Sequence, residues 1–289
     1  MAKIIDNKLV YGKLPERPEE SHKNTFGKIL NIAGSRNYTG AAYLSSISAL
    51  KTGAGYITLA CPDFIAPIIA SIAPEVTFLP LNSTNEGTIA AENTIKDLYT
   101  YNVVSLGCGL TTSEDTRKFV FNLINQLNTT QKQVIDADGI NILANYKGEI
   151  SLKNSVITPH PRELSRLLNV SVEEIVENRE KYARITSQTF ECITVLKGHN
   201  SIVTNGEKIY VNSTGSSALA KAGTGDVLTG IIAGLLAQKV LPLNAAVLGT
   251  YLHGLAGDIA ASDLTKYSVM ASDVIEYLPF AIREILSED

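Results

Sequence analysis

Gly223-Thr-Gly-Asp226 sets a single carboxylate among glycines directly ahead of the apolar run Val227-Leu-Thr-Gly-Ile-Ile-Ala-Gly-Leu-Leu236. Glycines let a backbone approach an anion closely, and the free N–H groups and dipole of a helix's first turn favour negative charge there. A carboxylate repels a phosphate at such a place. It is suited to a base that takes a proton from an alcohol as that alcohol attacks phosphorus. The competing reading of Asp226 is a helix N-cap, a position that favours Asp.

Five further polar clusters follow apolar, β-rich runs: Gly34-Ser-Arg-Asn-Tyr-Thr-Gly40, Gly107-Cys-Gly-Leu-Thr-Thr-Ser113, Asp136-Ala-Asp138, Thr158-Pro-His-Pro-Arg-Glu163 and Lys197-Gly-His-Asn-Ser201. Each alone is an ordinary turn, and a single His is more often a structural hydrogen-bonder than a catalyst. In open parallel sheets, however, ligands bind outside the carboxyl ends of the strands. Six loops gathered on one such edge indicate a shared nucleotide and substrate cleft. The segment 111–113 reads as a helix start, His253 as a structural residue of an apolar helix, and Lys221 as either a phosphate contact or a solvated charge.

The elements that must position these loops are legible as alternating strand-like and helix-like runs, the pattern of an α/β fold. Strands are expected at 28–33, 56–60, 102–106, 133–136, 155–158 and 194–197, and a helix at 40–51. The pair Asn205-Gly206 between apolar runs 201–204 and 208–211 signals a hairpin. The stripe after Asp226 is too broad for a surface helix and suits the middle of the fold, and a further helical segment spans 244–261. No linker or repeat interrupts residues 1–289, which read as one domain with residues 1–27 as an N-terminal arm.

With 289 residues, 45% hydrophobic and 19% charged, the chain can bury a large core. A net charge of -4 gives no electrostatic reason to expect nucleic acid or an anionic membrane as a partner. No apolar run reaches the length of a membrane span, and a cytoplasmic location is expected. Cys61, Cys108 and Cys192 lack the spacing of a metal site, and their odd number disfavours a disulfide framework. They read as buried fillers, with a reactive thiol left open only for Cys108, between two glycines.

From about Phe26 to Gln238 the chain resembles the NAD(P)H-hydrate dehydratases of the ribokinase-like superfamily. The resemblance rests on Gly34-Ser-x-x-Tyr-x-Gly-Ala-Ala42, Gly53-Ala-Gly55, Pro74-Glu75, Asp136-Ala-Asp138, Thr158-Pro-His-Pro161, Leu196-Lys-Gly198 and Gly225-Asp-Val-Leu-Thr-Gly-Ile-Ile-Ala-Gly-Leu-Leu-Ala-Gln238. The last block and the His-Pro motif are the specific ones. The resemblance implies a three-layer α/β/α fold around a mostly parallel sheet. It implies a lyase that removes water from the S epimer of hydrated NADH or NADPH, with ADP (or ATP) and Mg2+, releasing AMP and phosphate when ADP is used. It assigns catalysis and substrate contact to Asp226, the hydrate to Ala41, Gly109 and His160, and the nucleotide to Lys197, Gly198, His199, Asn200, Ser201 and Gly225.

Related kinases carry an Asn-x-x-Glu element whose Glu organises magnesium through water. His160-Pro-Arg-Glu163 keeps that spacing, so Glu163 is an outer-shell candidate, with a first-turn helix carboxylate as its other reading. Arg162, Ser216-Ser-Ala218 and Lys221-Ala222 depart from the family pattern and bear on substrate contacts. The resemblance also implies a homotetramer and a separate epimerase supplying the S form. A small-alcohol kinase of the same superfamily is the alternative; a non-catalytic nucleotide-binding module would have no use for Asp226.

Overall fold

The computed structural model describes residues 2–127, 131–146 and 152–287. The strands are β1 (Lys3–Ile5), β2 (Lys28–Ile32), β3 (Tyr56–Pro62), β4 (Thr77–Leu81), β5 (Val103–Leu106), β6 (Lys132–Ile135), β7 (Ser155–Ile157), β8 (Ile193–Leu196), β9 (Ile202–Thr204) and β10 (Ile209–Asn212). The helices are α1 (Asn7–Val10), α2 (Thr39–Lys51), α3 (Ala66–Ala70), α4 (Glu114–Ile124), α5 (Ala137–Leu143), α6 (Pro161–Leu168), α7 (Val172–Glu177), α8 (Arg179–Phe190), α9 (Thr224–Ala237), α10 (Pro242–Leu264) and α11 (Ala271–Leu286). All the strands lie in one sheet, in the order β1-β10-β9-β8-β7-β6-β5-β2-β3-β4. Only β9 runs antiparallel to its neighbours.

The central strands are buried on both faces, and their side chains alternate between two cores, as the two-residue period of a strand requires. In β2, Ile29 joins the core beneath α2 and α9 while Leu30 and Ile32 join the opposite core with Phe119 and Val120 of α4. Helices α2, α9, α10 and α11 pack together over one face, and α4, α5, α6 and α8 cover the other. The expected three-layer α/β/α arrangement is therefore present.

Helix α9 is apolar on every side because it is sandwiched between the sheet and its neighbouring helices. Its approach to α2 depends on Gly230: a Cβ there would overlap the Ser48 hydroxyl and the Ser45 carbonyl. That close approach holds the first turn of α9 in place over the sheet edge.

The segment 201–212 forms the expected hairpin, with β9 and β10 joined through residues 205–208, where the Asn205 carboxamide oxygen accepts from the N–H groups of Glu207 (3.1 Å) and Lys208 (2.8 Å). The reading of residues 1–27 as an arm needs correction for its first part. Lys3–Ile5 pair in parallel with Tyr210–Asn212 at the end of the sheet, and Ile5 and Val10 are fully buried. Edge pairing to β10 supplies the backbone hydrogen bonds that so short a segment could not announce. Arg17 is also tied down, donating to the Gly53 carbonyl at 3.0 Å and to Gln238 Oε1 at 2.9 Å.

Candidate active site

Strands β8, β7, β6, β5 and β2 are consecutive, parallel neighbours, so the five polar loops that follow them leave from one edge. Chain order turns back between β5 and β2, which makes this the point where a crevice opens in such a sheet. Backbone bonds lace successive loops together. Gly34 N–H donates to the Cys108 carbonyl at 2.8 Å, Asp136 N–H to Leu106 at 3.1 Å, Thr158 N–H to Ile135 at 3.1 Å and Lys197 N–H to Pro159 at 2.9 Å. Gly109 needs to be glycine twice over: its φ is +64°, and a Cβ would lie 2.8 Å from that of Ala41. Two of the residues expected to meet the hydrate, Ala41 and Gly109, thus adjoin one another at the crevice.

Asp226 sits in the first turn of α9, one position inside Gly225, and is not its N-cap; that place belongs to Gly223, at φ +92° and without a side chain to cap the helix. The capping explanation of this carboxylate is thereby removed. Burial, reinforced by the charge of Asp136, pushes the Asp226 carboxyl up to about 6, against the pull of the Cys108 thiol that donates to it and of the Lys197 charge. An acid of that strength is mostly ionised at neutral pH yet basic enough to accept a proton in a transition state. Cys108 is buried, and burial together with Asp226 and Asp136 holds its thiol well above the usual range. It is a protonated donor here, which closes the reactive-thiol reading.

Beneath Asp226, Lys197 Nζ bonds Asp136 Oδ1 at 2.5 Å and lies 3.9 Å from Glu163 Oε2, while the Thr229 hydroxyl donates to Asp136 Oδ2 at 2.7 Å. Burial, which would lower Lys197, is outweighed by Asp136 and Glu163, and its pKa is raised. Lys197 therefore stays charged. Asp138 accepts from Thr111 N–H at 2.8 Å, tying the loop after β5 to the start of α5.

His160 caps α6. Its Nδ1 accepts from the N–H groups of Arg162 (3.1 Å) and Glu163 (3.2 Å), and its own N–H donates to Glu163 Oε2 at 2.8 Å. Burial and the Lys197 charge lower its pKa, so the ring is neutral and, with Nδ1 accepting, carries its proton on Nε2, 3.3 Å from Glu163 Oε1. Glu163 is buried and pushed up to about 7, with Lys197 pulling the other way. Its Oε2 accepts from the N–H that opens α6 and also faces Lys197 at the crevice, a placement compatible with both of its readings. Among the described residues no group of three or more His, Cys, Asp or Glu is arranged to hold a metal ion by itself.

Beside this cluster lies a cavity of about 400 Å³, lined by Lys197, Gly198, His199, Asn200 and Ser201 on one side and by Gly225 and Leu228 of α9 on another. The backbone N–H groups of Gly198, His199 and Asn200 donate to no protein acceptor among the described residues. Those free donors, with the uncapped first turn of α9, make one end of the cavity suited to anionic oxygen. The structure thus brings together every residue expected to hold a nucleotide. Asp226, His160, Glu163, Ala41 and Gly109 do not line the cavity; they lie beside it along the crevice.

Two side chains at the cavity were not singled out as binding groups from sequence. His253 of α10 lines it, is pushed down to about 4 by burial, and has an Nε2 with no partner. The buried Oγ of Ser216 is likewise unpartnered. Buried polar atoms almost always have partners, so two orphans around one cavity indicate groups that a ligand or ordered water completes. A lone His in an apolar helix carries no such signal in sequence.

The sheet order, the helix-flanked layers and the glycine-opened α9 make up a ribokinase-like fold. A structure of a ribokinase-like superfamily protein from Enterococcus faecalis superposes with a TM-score of 0.87 at 24% identity, covering 98% of this chain and 96% of that one. The family model described as NAD(P)H-hydrate dehydratase matches residues 29–280, and the chain belongs to that family. It is 31% identical to the ADP-dependent (S)-NAD(P)H-hydrate dehydratase of Bacillus subtilis, over 93% of this chain and 94% of that protein. It is 36% identical to the bifunctional NAD(P)H-hydrate repair enzyme Nnr of Moorella thermoacetica, over 96% of this chain but 53% of that protein, so it spans about half the length of such relatives. A crystal structure of the ADP/ATP-dependent NAD(P)H-hydrate dehydratase from Bacillus subtilis, co-crystallised with ATP and Mg2+, superposes with a TM-score of 0.87 at 28% identity, covering 98% of this chain and 99% of that one.

Proposed function

We propose that this protein dehydrates the S epimer of NADH or NADPH hydrate, using ADP as the activating co-substrate. The observation that carries the reading is the placement of Asp226: a buried carboxylate tuned to about 6, one residue from the Gly225 that lines the nucleotide cavity. Asp226 takes the proton from the hydrate's hydroxyl as that oxygen attacks the terminal phosphorus of ADP. The bond from that phosphorus to the bridging oxygen breaks, and AMP leaves. The phosphorylated hydrate then loses a proton and expels phosphate, restoring the dihydropyridine. Hydroxide is a poor leaving group and phosphate a good one, so the phosphoryl transfer makes the elimination possible.

In this reading Ala41, Gly109 and His160 hold the hydrate, and Lys197, Gly198, His199, Asn200, Ser201 and Gly225 hold the nucleotide, with Ser216 and His253 completing its polar contacts. Mg2+ would enter on the phosphates of the nucleotide, where it neutralises charge, with Glu163 in its outer shell. A homotetramer, a cytoplasmic location and an epimerase acting on the same hydrates belong to this proposal. Among the described residues no helix is long and apolar enough to cross a membrane.

The test is product analysis. Incubation with hydrated NADH, ADP and Mg2+ is expected to yield NADH, AMP and phosphate in equal amounts. A stable phosphorylated product without NADH would instead establish a kinase.

A further inference from the structure

The loop that lines the nucleotide cavity is held from its far side by a residue outside every motif noted above. Arg179, the first residue of α8, donates from Nη1 to the His199 carbonyl at 2.6 Å and from Nη2 to the Leu196 carbonyl at 3.3 Å. One planar guanidinium therefore bridges the two ends of the turn through Lys197 and Gly198. The fork geometry of arginine suits this double contact, which a lysine ammonium cannot reproduce.

The turn it bridges is conformationally costly. Gly198 has φ +147° and Asn200 φ +54°, both in the region that side chains disfavour. Arg179 packs directly against Gly198, where a Cβ would lie 3.0 Å from Nη2. The Ser201 hydroxyl satisfies the Gly198 carbonyl at 2.9 Å. Three of the turn's carbonyls are thus bound within the protein. Because each trans peptide points its N–H opposite its C=O, fixing the His199 carbonyl on Arg179 aims the Asn200 N–H away from the guanidinium. That N–H has no protein partner among the described residues.

The location of Arg179 is otherwise unfavourable. A cation at the first position of a helix opposes the dipole, and among the described residues no carboxylate forms an ion pair with Arg179 to offset its burial, which lowers its pKa. Two carbonyl acceptors account for its being there.

We propose that Arg179 is a positioning residue for the nucleotide: its clamp on the Leu196 and His199 carbonyls presets the 197–201 turn so that the backbone donors face ADP. This rests on the nucleotide assignment made above. The clamp touches neither Asp226 nor the hydrate positions, so it governs nucleotide affinity and leaves the chemical step alone.

The experiment compares wild type, Arg179→Ala and Arg179→Lys in the full-length protein, by ADP titration calorimetry in the presence of Mg2+ and by steady-state kinetics. Loss of two charge-assisted bonds is expected to raise the ADP Kd and KM roughly tenfold to a hundredfold in Arg179→Ala, on the scale of such bonds. The Lys variant is expected to fall between, with kcat and the hydrate KM within about twofold of wild type. Guanidinium chloride, at millimolar concentrations far below those that unfold proteins, is expected to restore part of the ADP affinity of Arg179→Ala and none to wild type. ADP affinity unchanged in both variants overturns the proposal, as does an equal loss in kcat and in both KM values. Calorimetry needs no turnover, so the two readings can fail separately. Wild type that binds ADP without dehydrating the hydrate refutes the assigned reaction and leaves the clamp to be judged on Kd. Wild type that binds no ADP overturns both.

Discussion

The Lys197 ammonium donates to Asp136 Oδ1 at 2.5 Å across the ends of β8 and β6, and this buried pair is the electrostatic floor of the crevice. Asp136 is 1% exposed and has its other oxygen occupied by Thr229. Removing the carboxylate would leave a largely buried ammonium with only Glu163, at 3.9 Å, and the field of Asp226 to offset it. Asp136→Ala is expected to destabilise the protein by about 3–5 kcal/mol in chemical denaturation, the usual cost of stranding one buried charge. The double variant with Lys197→Met is expected to lose less than the two single losses combined.

Asp226 ties activity and stability to pH in opposite directions. Its carboxyl is raised from 3.8 to about 6, chiefly by burial. The rate is expected to fall on the acid side of about pH 6, where the base becomes protonated. For stability, a folded pKa above the unfolded one favours folding below the unfolded value, and that contribution is lost as pH rises through the folded value. The ionised group therefore costs stability at pH 8, by ~2–3 kcal/mol for a shift of this size. Asp226→Asn is expected to raise the Tm at pH 8 and to change it little at pH 4, measured by calorimetry.

The contact between α2 and α9 is testable at one glycine. A methyl group at Gly230 would overlap Ser45 and Ser48, so Gly230→Ala is expected to cost about 1–3 kcal/mol despite its better helix propensity. At Gly40 of α2 an added Cβ meets nothing within 4 Å, and Gly40→Ala is expected not to destabilise. Parallel urea titrations separate the two.

His253 offers a ligand-dependent readout. Its Nε2 is unpartnered while the ring keeps a hydrogen bond with the Thr224 backbone, so His253→Leu is expected to lower the Tm of the free protein only modestly, by the worth of that one bond. The rise in Tm produced by saturating ADP is expected to shrink, because a partner for the nucleotide has gone. Thermal scans with and without ADP check both halves.

The parts of this site that sequence makes legible are those carried by local chemistry. Glycine loops and polar residues that follow apolar strands mark the crevice edge, since a parallel sheet sends every such loop to the same side. Gly223-Thr-Gly-Asp226 announces the start of α9 for the same local reason. Contacts between distant segments are another matter. Arg179 sits in a charged helical stretch whose spacing says nothing of Leu196 or His199, and the Cys108 thiol meets Asp226 only because β5 and α9 are stacked. The pairing of Lys3–Ile5 with β10 joins distant parts of the chain through ladder bonds and the burial of Ile5, and three residues are too few to show a strand's side-chain period.

The central claim is that Asp226 drives an ADP-dependent dehydration. Its most direct test follows the return of dihydropyridine absorbance from the hydrate of NADH with ADP and Mg2+, in wild type and in Asp226→Asn. Recovery in wild type, reduced by about 10²–10⁴ in a variant that still binds ADP, is the expected result. Recovery of equal rate in the two proteins, or none in wild type while ADP is bound, would contradict it.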